Sequence, residues 1–284
     1  MSDRTGGHHV PNSQALTTKD GRFGYEAKGD VSMTPLVFLH GIGGAGRGWR
    51  NQIDTFGDRY FTIGWDAPGY GGSKQLDEPS IPGFAAALKD FLTQVGARKP
   101  VLVGHSIGGM IVQRFLHDYP DLASAAVLAQ TTSVFGSSDG EWQKNFIDAR
   151  LGPLDRGETM ASMAPKLVAG LIGDDPDPKG LDLARDCMAA VKPDTYRASM
   201  KSMIGFNLRN EIADIKVPTL LLSGSKDNNA PAKTMAKMAA MVPGATYVEL
   251  QGVGHLASFE RPREFNDVLA DFLKTCHNLS GSTS

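Results

Sequence analysis

Cysteine is scarce in this chain of 284 residues, which contains only Cys187 and Cys276. The two cysteines lie far apart, and neither has a second cysteine or a histidine at the spacing of a metal site. This usage excludes a disulfide framework and a structural zinc site. We therefore expect two reduced, incidental thiols and no bound metal.

Long apolar runs are also missing. No stretch approaches the ~20 consecutive apolar residues that a membrane-spanning helix needs. Residues 1–14 are polar and lack the apolar segment of a secretory signal. We interpret residues 1–14 as a flexible leader and expect a soluble, cytoplasmic protein.

Neither sign of charge is in excess, because 29 lysines and arginines face 31 aspartates and glutamates, for a formal net charge of −2. No block of like charges interrupts this balance. Proteins that bind nucleic acid or an anionic membrane present a basic face. We expect neither partner here, and the composition leaves the oligomeric state open.

The sequence does contain short apolar runs that alternate with segments of helical periodicity. Strands alternating with one-sided helices are typical of a parallel sheet covered on both faces, which places the chain in the α/β class. Two clear apolar stripes at helical spacing lie within residues 84–95 and 265–273. The predicted strands are residues 22–27, 36–39, 61–65, 101–103, 125–128, 219–222 and 247–250.

This alternation stops between residues 133 and 213, where helix formers dominate and no strand pattern appears. We interpret residues 133–213 as an inserted helical cap between two parts of one core, residues 15–132 and 214–284. Gly-Pro and Asp-Pro sequences predict breaks between its helices. The predicted cap helices are residues 142–149, 165–172, 181–191 and 195–206.

A serine lies at the junction between one predicted strand and the helix after it. The sequence GHSIGG at residues 104–109 follows the apolar run 100–103 and precedes a buried helical stripe. Glycines two residues before and after Ser106 suit a sharp, strained turn that exposes the serine oxygen at the sheet edge. The pattern indicates that Ser106 is a nucleophile.

A serine hydroxyl needs a base to take its proton and a third group to hold that base. His255 follows the last predicted strand in a glycine-rich loop, and Asp227 follows the preceding strand. The serine, acid, histidine order is the one expected for a nucleophile at such a turn. His105 is next to Ser106 but is predicted to point away from it, because alternate residues of a strand face opposite sides.

Attack by Ser106 on a carbonyl carbon would place negative charge on the carbonyl oxygen, which backbone N–H groups can stabilise. The N–H of Ile107, at the start of a helix, is one candidate. The N–H of Ile42, in the glycine-rich loop HGIGG at residues 40–44, is the other. That loop could also be a phosphate cradle, although no nucleotide-binding motif follows it. His40 is expected to stabilise the turn.

Five blocks of the sequence together resemble the α/β-hydrolase superfamily, in order from about residue 20 to residue 275. They are HGIG (40–43), DAPGYGGS (66–73), GHSIGG (104–109), VPTLLLSGSKD (217–227) and GH (254–255). The resemblance implies an α/β fold with a mostly parallel eight-stranded sheet, helices on both faces and an inserted helical cap. It also implies Ser106 as nucleophile, Asp227 as acid, His255 as base, and Ile42 and Ile107 as the oxyanion pair.

Within the superfamily the chain looks similar to 3-oxoadipate enol-lactonases, meta-cleavage-product hydrolases and cofactor-free haloperoxidases. Serine at position 106 differs from the aspartate of epoxide hydrolases and haloalkane dehalogenases. The resemblance implies hydrolysis of a small-molecule ester or lactone through an acyl-serine, without a cofactor. Carbon-carbon bond hydrolysis, perhydrolase or haloperoxidase activity, and a ligand-binding receptor on the same fold remain alternatives.

Methionine and aromatic side chains are concentrated in the predicted cap. Unbranched methionines suit an adaptable apolar roof over a site, although each could equally pack the cap onto the core. A charged substrate would need an inward arginine, and the sequence does not orient Arg150, Arg185, Arg197 or Arg209. The predicted substrate-binding residues are Trp142, Phe146, Met160, Met163, Met200 and Met203.

Overall fold

Eight strands form one sheet within residues 9–136 and 140–281, the part of the chain that the computed structural model describes. Strand β1 and its neighbour β2 form an antiparallel edge, and β2 pairs with β4 in the same way. All other pairs are parallel, in the order β1-β2-β4-β3-β5-β6-β7-β8. The strands are β1 (His9–Thr17), β2 (Gly24–Asp30), β3 (Pro35–Leu39), β4 (Phe61–Trp65), β5 (Val101–His105), β6 (Ala125–Ala129), β7 (Thr219–Gly224) and β8 (Thr246–Leu250).

Helices connect most of these strands, and two further helices follow the last strand. Short 3-10 turns at Gly46–Trp49 and Glu211–Asp214 accompany them. None of the helices in the described part of the chain is both long and apolar enough to cross a membrane. The helices are α1 (Arg50–Phe56), α2 (Ile81–Gln94), α3 (Ile107–Asp118), α4 (Glu141–Asp155), α5 (Met160–Ala169), α6 (Pro178–Ala189), α7 (Pro193–Ser202), α8 (Ala232–Met241), α9 (Ala257–Glu260) and α10 (Pro262–Gly281).

The central strands are buried on both faces, as parallel strands are when helices cover both sides of a sheet. Side chains alternate along β5, so Val101 and Val103 face the core formed with α1 and α10. Leu102 faces the opposite core, which contains the apolar sides of α2, α3 and α8. Burial on both faces explains why these strands appear in the sequence as continuous apolar runs.

The predicted sheet and helical layers are confirmed, and the strand limits differ by a few residues. The structure differs at the amino end, where residues 9–14 belong to β1 and not to a flexible leader; residues 1–8 lie outside the described part. Most residues of β1 are exposed, so the strand carries no apolar alternation. It is held by main-chain pairing to β2, from His9 with Asp30 to Thr17 with Gly24.

Helices α4 to α7 occupy the segment between β6 and β7, which we call the helical insertion (residues 133–213). The predicted limits of its first two helices differ most from the structure. Helix α4 continues past the expected break and carries Pro153 in its last turn. Helix α5 begins at Met160, because Thr159 and Ser162 form a reciprocal capping box, and Pro165 lies inside it.

Close approach of backbone segments fixes the start of α3 against the sheet. A Cβ atom on Gly108 would lie 2.4 Å from the carbonyl oxygen of Leu39 and 2.8 Å from that of His40. A Cβ on Gly104 would lie 2.5 Å from the carbonyl oxygen of Gly108. Glycine is therefore required at both positions by space, because neither main chain can yield without moving a strand.

We expect Gly108→Ala to lower the free energy of unfolding by about 1–3 kcal/mol, because the added methyl group forces β3 and α3 apart. Gly170→Ala is the matched control, since its nearest neighbours would be 3.6 Å away and its φ is −78°. That control should change stability by less than ~1 kcal/mol. Denaturant unfolding of both variants checks this, and equal stability of the two would contradict it.

Candidate active site

Ser106 lies at the turn between β5 and α3 with φ 54° and ψ −119°. A positive φ is uncommon for a residue with a side chain and costs of the order of 1–3 kcal/mol. The tight contacts at Gly104 and Gly108 hold this conformation in place. The turn presents the hydroxyl of Ser106 to the cavity described below.

The structure brings Ser106, His255 and Asp227 into one chain of hydrogen bonds. The Oγ of Ser106 is 3.1 Å from Nε2 of His255, and Nδ1 of His255 is 2.8 Å from Oδ2 of Asp227. Since the carboxylate can only accept, Nδ1 carries the proton and Nε2 is free to accept from the serine hydroxyl. These three side chains come from the loops after β5, β8 and β7, which meet at one edge of the sheet.

Asp227 is buried yet kept ionised. Burial alone would raise the pKa of its carboxyl group, but the charge and hydrogen bond of His255 lower it, helped by the backbone N–H groups of Ala230 and Asn229. Those two N–H groups donate to Oδ1 at 2.9 and 2.8 Å. The net direction is a lowered pKa, so the carboxylate that faces His255 is negative near neutral pH.

Two peptide units beside Ser106 are fixed by hydrogen bonds to their carbonyl groups. The carbonyl of Gly41 accepts from Nδ1 of His40 at 2.7 Å and from the N–H of Gly44 at 2.9 Å. A trans peptide directs its N–H opposite to its C=O, so the N–H of Ile42 points away from these donors. Ile42 itself lines the same cavity as Ser106.

The peptide between Ser106 and Ile107 is held in the same way. The Ser106 carbonyl accepts from Oγ1 of Thr131 at 2.7 Å and from the N–H groups of Gly109 and Met110 at 2.9 and 3.2 Å. The N–H of Ile107 therefore points away from these donors, at the first residue of α3. Thr131 was not singled out in the sequence, because its role depends on a contact across 25 residues.

His40 and His105 are buried and neutral. Burial lowers the pKa of His40, which donates from Nδ1 to Gly41 and accepts at Nε2 from the N–H of Ala67 at 3.1 Å. Burial also lowers the pKa of His105 to about 3. His105 donates from Nε2 to the main-chain oxygen of His255 at 2.6 Å, and the two rings lie 5.0 Å apart. His105 thus supports the loop that carries His255.

A buried carboxylate, Glu260, fastens the same loop. Its side chain accepts the N–H groups of Gly254 at 2.9 Å, Leu256 at 2.9 Å and Gly173 at 2.7 Å. Glu260 is only 1% exposed, so these three donors replace the water that an ionised carboxylate would otherwise hold. The glutamate joins the residues on both sides of His255 to the helical insertion.

Gln130 adds a further clamp, donating to the carbonyl of Gly254 at 2.5 Å and accepting the N–H of Ala257 at 3.3 Å. Sequence reasoning missed both Glu260 and Gln130. A glutamate at the end of the mostly apolar sequence LASFE, which directly follows His255, was the available signal. Gln130 gave a weaker one, as a polar residue directly after a buried strand.

A cavity of about 970 Å³ lies over Ser106 and His255, bounded by the helical insertion and α8. Five of the six predicted substrate-binding residues line it. Met160 does not: it is the first residue of α5 and is 2% exposed within the core, so it supports the wall from behind. The apolar lining includes Trp142, Phe146, Met163, Met200 and Met203, together with Met110, Val134, Phe135, Leu167, Leu171, Met188, Met238 and Met241.

The structure also orients the four arginines of the insertion that the sequence leaves open. Arg150 and Arg209 line the cavity. Arg185 and Arg197 do not, and they pair instead with Asp182 at 3.0 Å and with Asp155. The α8 methionines were missed because that helix lies outside the insertion in which a roof was expected.

The model of the alpha/beta hydrolase family matches residues 36–268, which is most of the chain. The chain belongs to the alpha/beta hydrolase family. Its match covers β3 to β8 and therefore most of the sheet described above.

Curated relatives of this alpha/beta hydrolase are distant. A 2-hydroxy-6-oxononadienedioate/2-hydroxy-6-oxononatrienedioate hydrolase of a Pseudomonas species is 25% identical over 247 residues, covering 84% of this chain and 87% of the relative. A 3-oxoadipate enol-lactonase of Acinetobacter baylyi is 23% identical over 265 residues, covering 91% and 96%. This chain covers 66% to 91% of the length of four relatives that are 25–27% identical to it.

Among solved structures, a bromoperoxidase from Bacillus anthracis superposes with a TM-score of 0.82 at 21% identity, covering 92% of this chain and all of that chain. Identity at this level shows the shared fold alone. The eight-stranded alpha/beta hydrolase architecture expected from the sequence is confirmed by this likeness and by the family model.

We expect Glu260→Gln to lower the free energy of unfolding by about 1–3 kcal/mol, because one acceptor oxygen becomes an amide NH₂ facing buried N–H donors. Glu264→Gln is the matched control, since that side chain is 53% exposed and pairs with Arg261 at 3.5 Å. Urea unfolding of both variants checks this. Indistinguishable midpoints would show that the three hydrogen bonds to Glu260 contribute little.

Stability should also depend on pH through His105. Above its ordinary pKa of 6.5 the residue is neutral in both states. Between pH 6.5 and about 3 the unfolded chain binds a proton that the folded protein does not. The free energy of unfolding therefore decreases as the pH is lowered below 6.5, by up to ~1.4 kcal/mol per pH unit.

Chemical unfolding at pH 7, 6 and 5 measures this dependence. Replacing His105 by glutamine should reduce the slope below pH 6.5 by about 1 kcal/mol per unit, because the titrating group is gone. His117→Gln, at an exposed position on α3, should leave the slope close to that of the native protein. An unchanged slope in His105→Gln would contradict the assignment.

Proposed function

We propose that this alpha/beta hydrolase cleaves a carboxylic ester or lactone of a mainly apolar small molecule through an acyl-serine intermediate. The observation that carries the proposal is the hydrogen-bonded chain from Ser106 through His255 to Asp227, at the wall of a cavity of about 970 Å³. The Ser106 hydroxyl lies beside Nε2 of His255, which can accept its proton, and the buried carboxylate of Asp227 holds the imidazole ring in place. This is the arrangement that activates a hydroxyl as a nucleophile.

In the first half-reaction, Ser106 Oγ bonds to the carbonyl carbon while its proton passes to Nε2 of His255. Asp227 stabilises the resulting imidazolium and keeps the ring oriented. The carbonyl oxygen becomes negative and is met by the N–H groups of Ile42 and Ile107. The bond to the leaving oxygen then breaks, that oxygen takes the proton from His255, and Ser106 remains acylated.

Water completes the cycle. It adds to the acyl carbon while giving a proton to His255, and the second tetrahedral intermediate uses the same two N–H groups. Its collapse releases the carboxylic acid, and the proton on His255 returns to Ser106. All atoms are supplied by substrate and water, so the cycle uses no cofactor.

We further propose that the helical insertion acts as a cap, and that the residues it contributes to the lining contact the substrate. Methionines adapt their shape to a ligand because the side chain is unbranched and polarizable. The lining aromatic rings of Phe135, Trp142 and Phe146 pack edge-on or tilted, 5.1–5.8 Å apart, and add a rigid apolar wall. Such a site suits an apolar acyl chain or ring.

Carbon-carbon bond hydrolysis is the competing function, favoured by the relative from Pseudomonas whose name denotes a hydrolase of an oxo-dienedioate. Against it stands the loop after His40, where this chain has Ile42-Gly43-Gly44-Ala45-Gly46 and meta-cleavage hydrolases typically have Ser-Gly-Pro-Gly-Ala. Turnover of a vinylogous 1,5-diketone faster than any ester would favour the competing function.

Stopped-flow kinetics with p-nitrophenyl esters of increasing acyl length tests the proposal. The native protein should give a burst of p-nitrophenolate followed by steady turnover, since an acyl-enzyme accumulates when deacylation is slow. Ser106→Ala and His255→Ala should each lower kcat by about 10³-fold or more, and Asp227→Asn by a similar factor. Ser124→Ala, at an exposed serine at the other end of the sheet, should match the native protein.

Covalent labelling separates an enzyme from a receptor. A fluorophosphonate probe should add its phosphonyl group to Ser106, detected by mass spectrometry of the peptide that contains it. Absence of both the label and the burst would contradict the acyl-serine mechanism.

A further inference from the structure

Cationic side chains predominate over acidic ones in the lining of the cavity. Its basic members are Arg150, Arg156, Lys166, Arg209 and Lys237, and its acidic member is Glu158. Four of the five basic residues are exposed, and Arg156 lies 3.9 Å from Glu158. Arg150 alone among them is partly buried, within the described part of the chain.

The guanidinium of Arg150 is held in place by its surroundings. It stacks on the ring of Phe146, with Cζ 3.4 Å from the ring centroid. Nη1 donates to the carbonyl of Phe146 at 3.2 Å, and Nη2 donates to Oδ1 of Asn229 at 3.1 Å. Arginine has five N–H donors, so three have no acceptor among the described residues.

Arg150 also has no carboxylate at ion-pair distance among the described residues, whereas Arg185 and Arg197 of the same insertion both do. Burial lowers the pKa of Arg150, yet a guanidinium stays charged at neutral pH. A partly buried cation without a counter-ion is costly to maintain. A bound anion would remove that cost.

The position of Arg150 connects it to the reacting groups. Asn229, which accepts from Arg150, donates its own N–H to Asp227, the partner of His255. Arg150, His255 and Ser106 all line the one cavity. The lining of that cavity is mostly apolar, so a ligand that contacts both Ser106 and Arg150 has an apolar body and an anionic end.

We propose that the cavity selects esters or lactones that carry a free carboxylate remote from the scissile carbonyl, and that Arg150 binds this carboxylate. The planar fork of a guanidinium matches the two oxygens of a carboxylate, and stacking on Phe146 fixes its plane. The proposal rests on the proposed hydrolase function for the turnover it describes. Carboxylate binding by Arg150 is measurable without turnover.

Two substrates of similar length test the selection. Mono-p-nitrophenyl adipate ends in a carboxylate, and p-nitrophenyl heptanoate ends in an ethyl group at the same place. Arg150→Gln should lower kcat/KM for the adipate ester at least ~10-fold and change that for the heptanoate less than ~3-fold, because only the adipate ester loses a charge-assisted pair. Arg185→Gln, a surface arginine of the same insertion, should leave the ratio of the two unchanged.

An equal effect of Arg150→Gln on both esters would overturn the proposal while leaving ester hydrolysis intact. If the protein turns over neither ester, a binding measurement still tests the carboxylate site. Titration calorimetry of heptanedioate with Ser106→Ala should show binding that is at least ~10-fold weaker in Ser106→Ala/Arg150→Gln. Equal affinity, or no binding to either, would overturn the carboxylate site whatever the outcome for Ser106.

Discussion

The positive-φ backbone at Ser106 is the constraint on which the surrounding loops depend. It is held by direct contact between main chains, where Gly104 and Gly108 leave no room for a side chain. The same contact seats α3 beneath the ends of β3 and β5. Because the Ser106 carbonyl is occupied by Thr131 and by the first turn of α3, the next N–H is directed away from them. One strained residue thereby sets the orientation of both a hydroxyl and an amide.

The central strands and the meeting of Ser106, His255 and Asp227 were predictable because their signals are local. A doubly buried strand appears as an apolar run, and a sharp turn after it requires glycine at fixed offsets. The fastenings of the His255 loop were not predictable. Glu260 also accepts from Gly173, which is 87 residues away, and Gln130 donates to Gly254, which is 124 residues away. A polar residue in an apolar sequence marks a buried polar contact but does not identify such a distant partner.

Edges and insertions departed from the sequence prediction for a different reason. β1 is stabilised by main-chain pairing at an exposed edge, so its side chains are free to be polar. In the helical insertion, proline predicts a helix limit at Pro153 and at Pro165, whereas both residues lie inside their helices. Met160 illustrates a similar difficulty for side chains. A helical stripe of apolar residues does not distinguish a residue that lines the cavity from one buried behind the lining.

Two main-chain hydrogen bonds join the helical insertion to the loop that carries His255. His255 donates its N–H to the carbonyl of Leu171 at 2.6 Å, and Asp174 donates to the carbonyl of Gly252 at 2.6 Å. Displacing the insertion at these two bonds would pull on the backbone of His255 itself. The main chain that positions the His255 ring is thus tied directly to a segment of the helical insertion that lines the cavity.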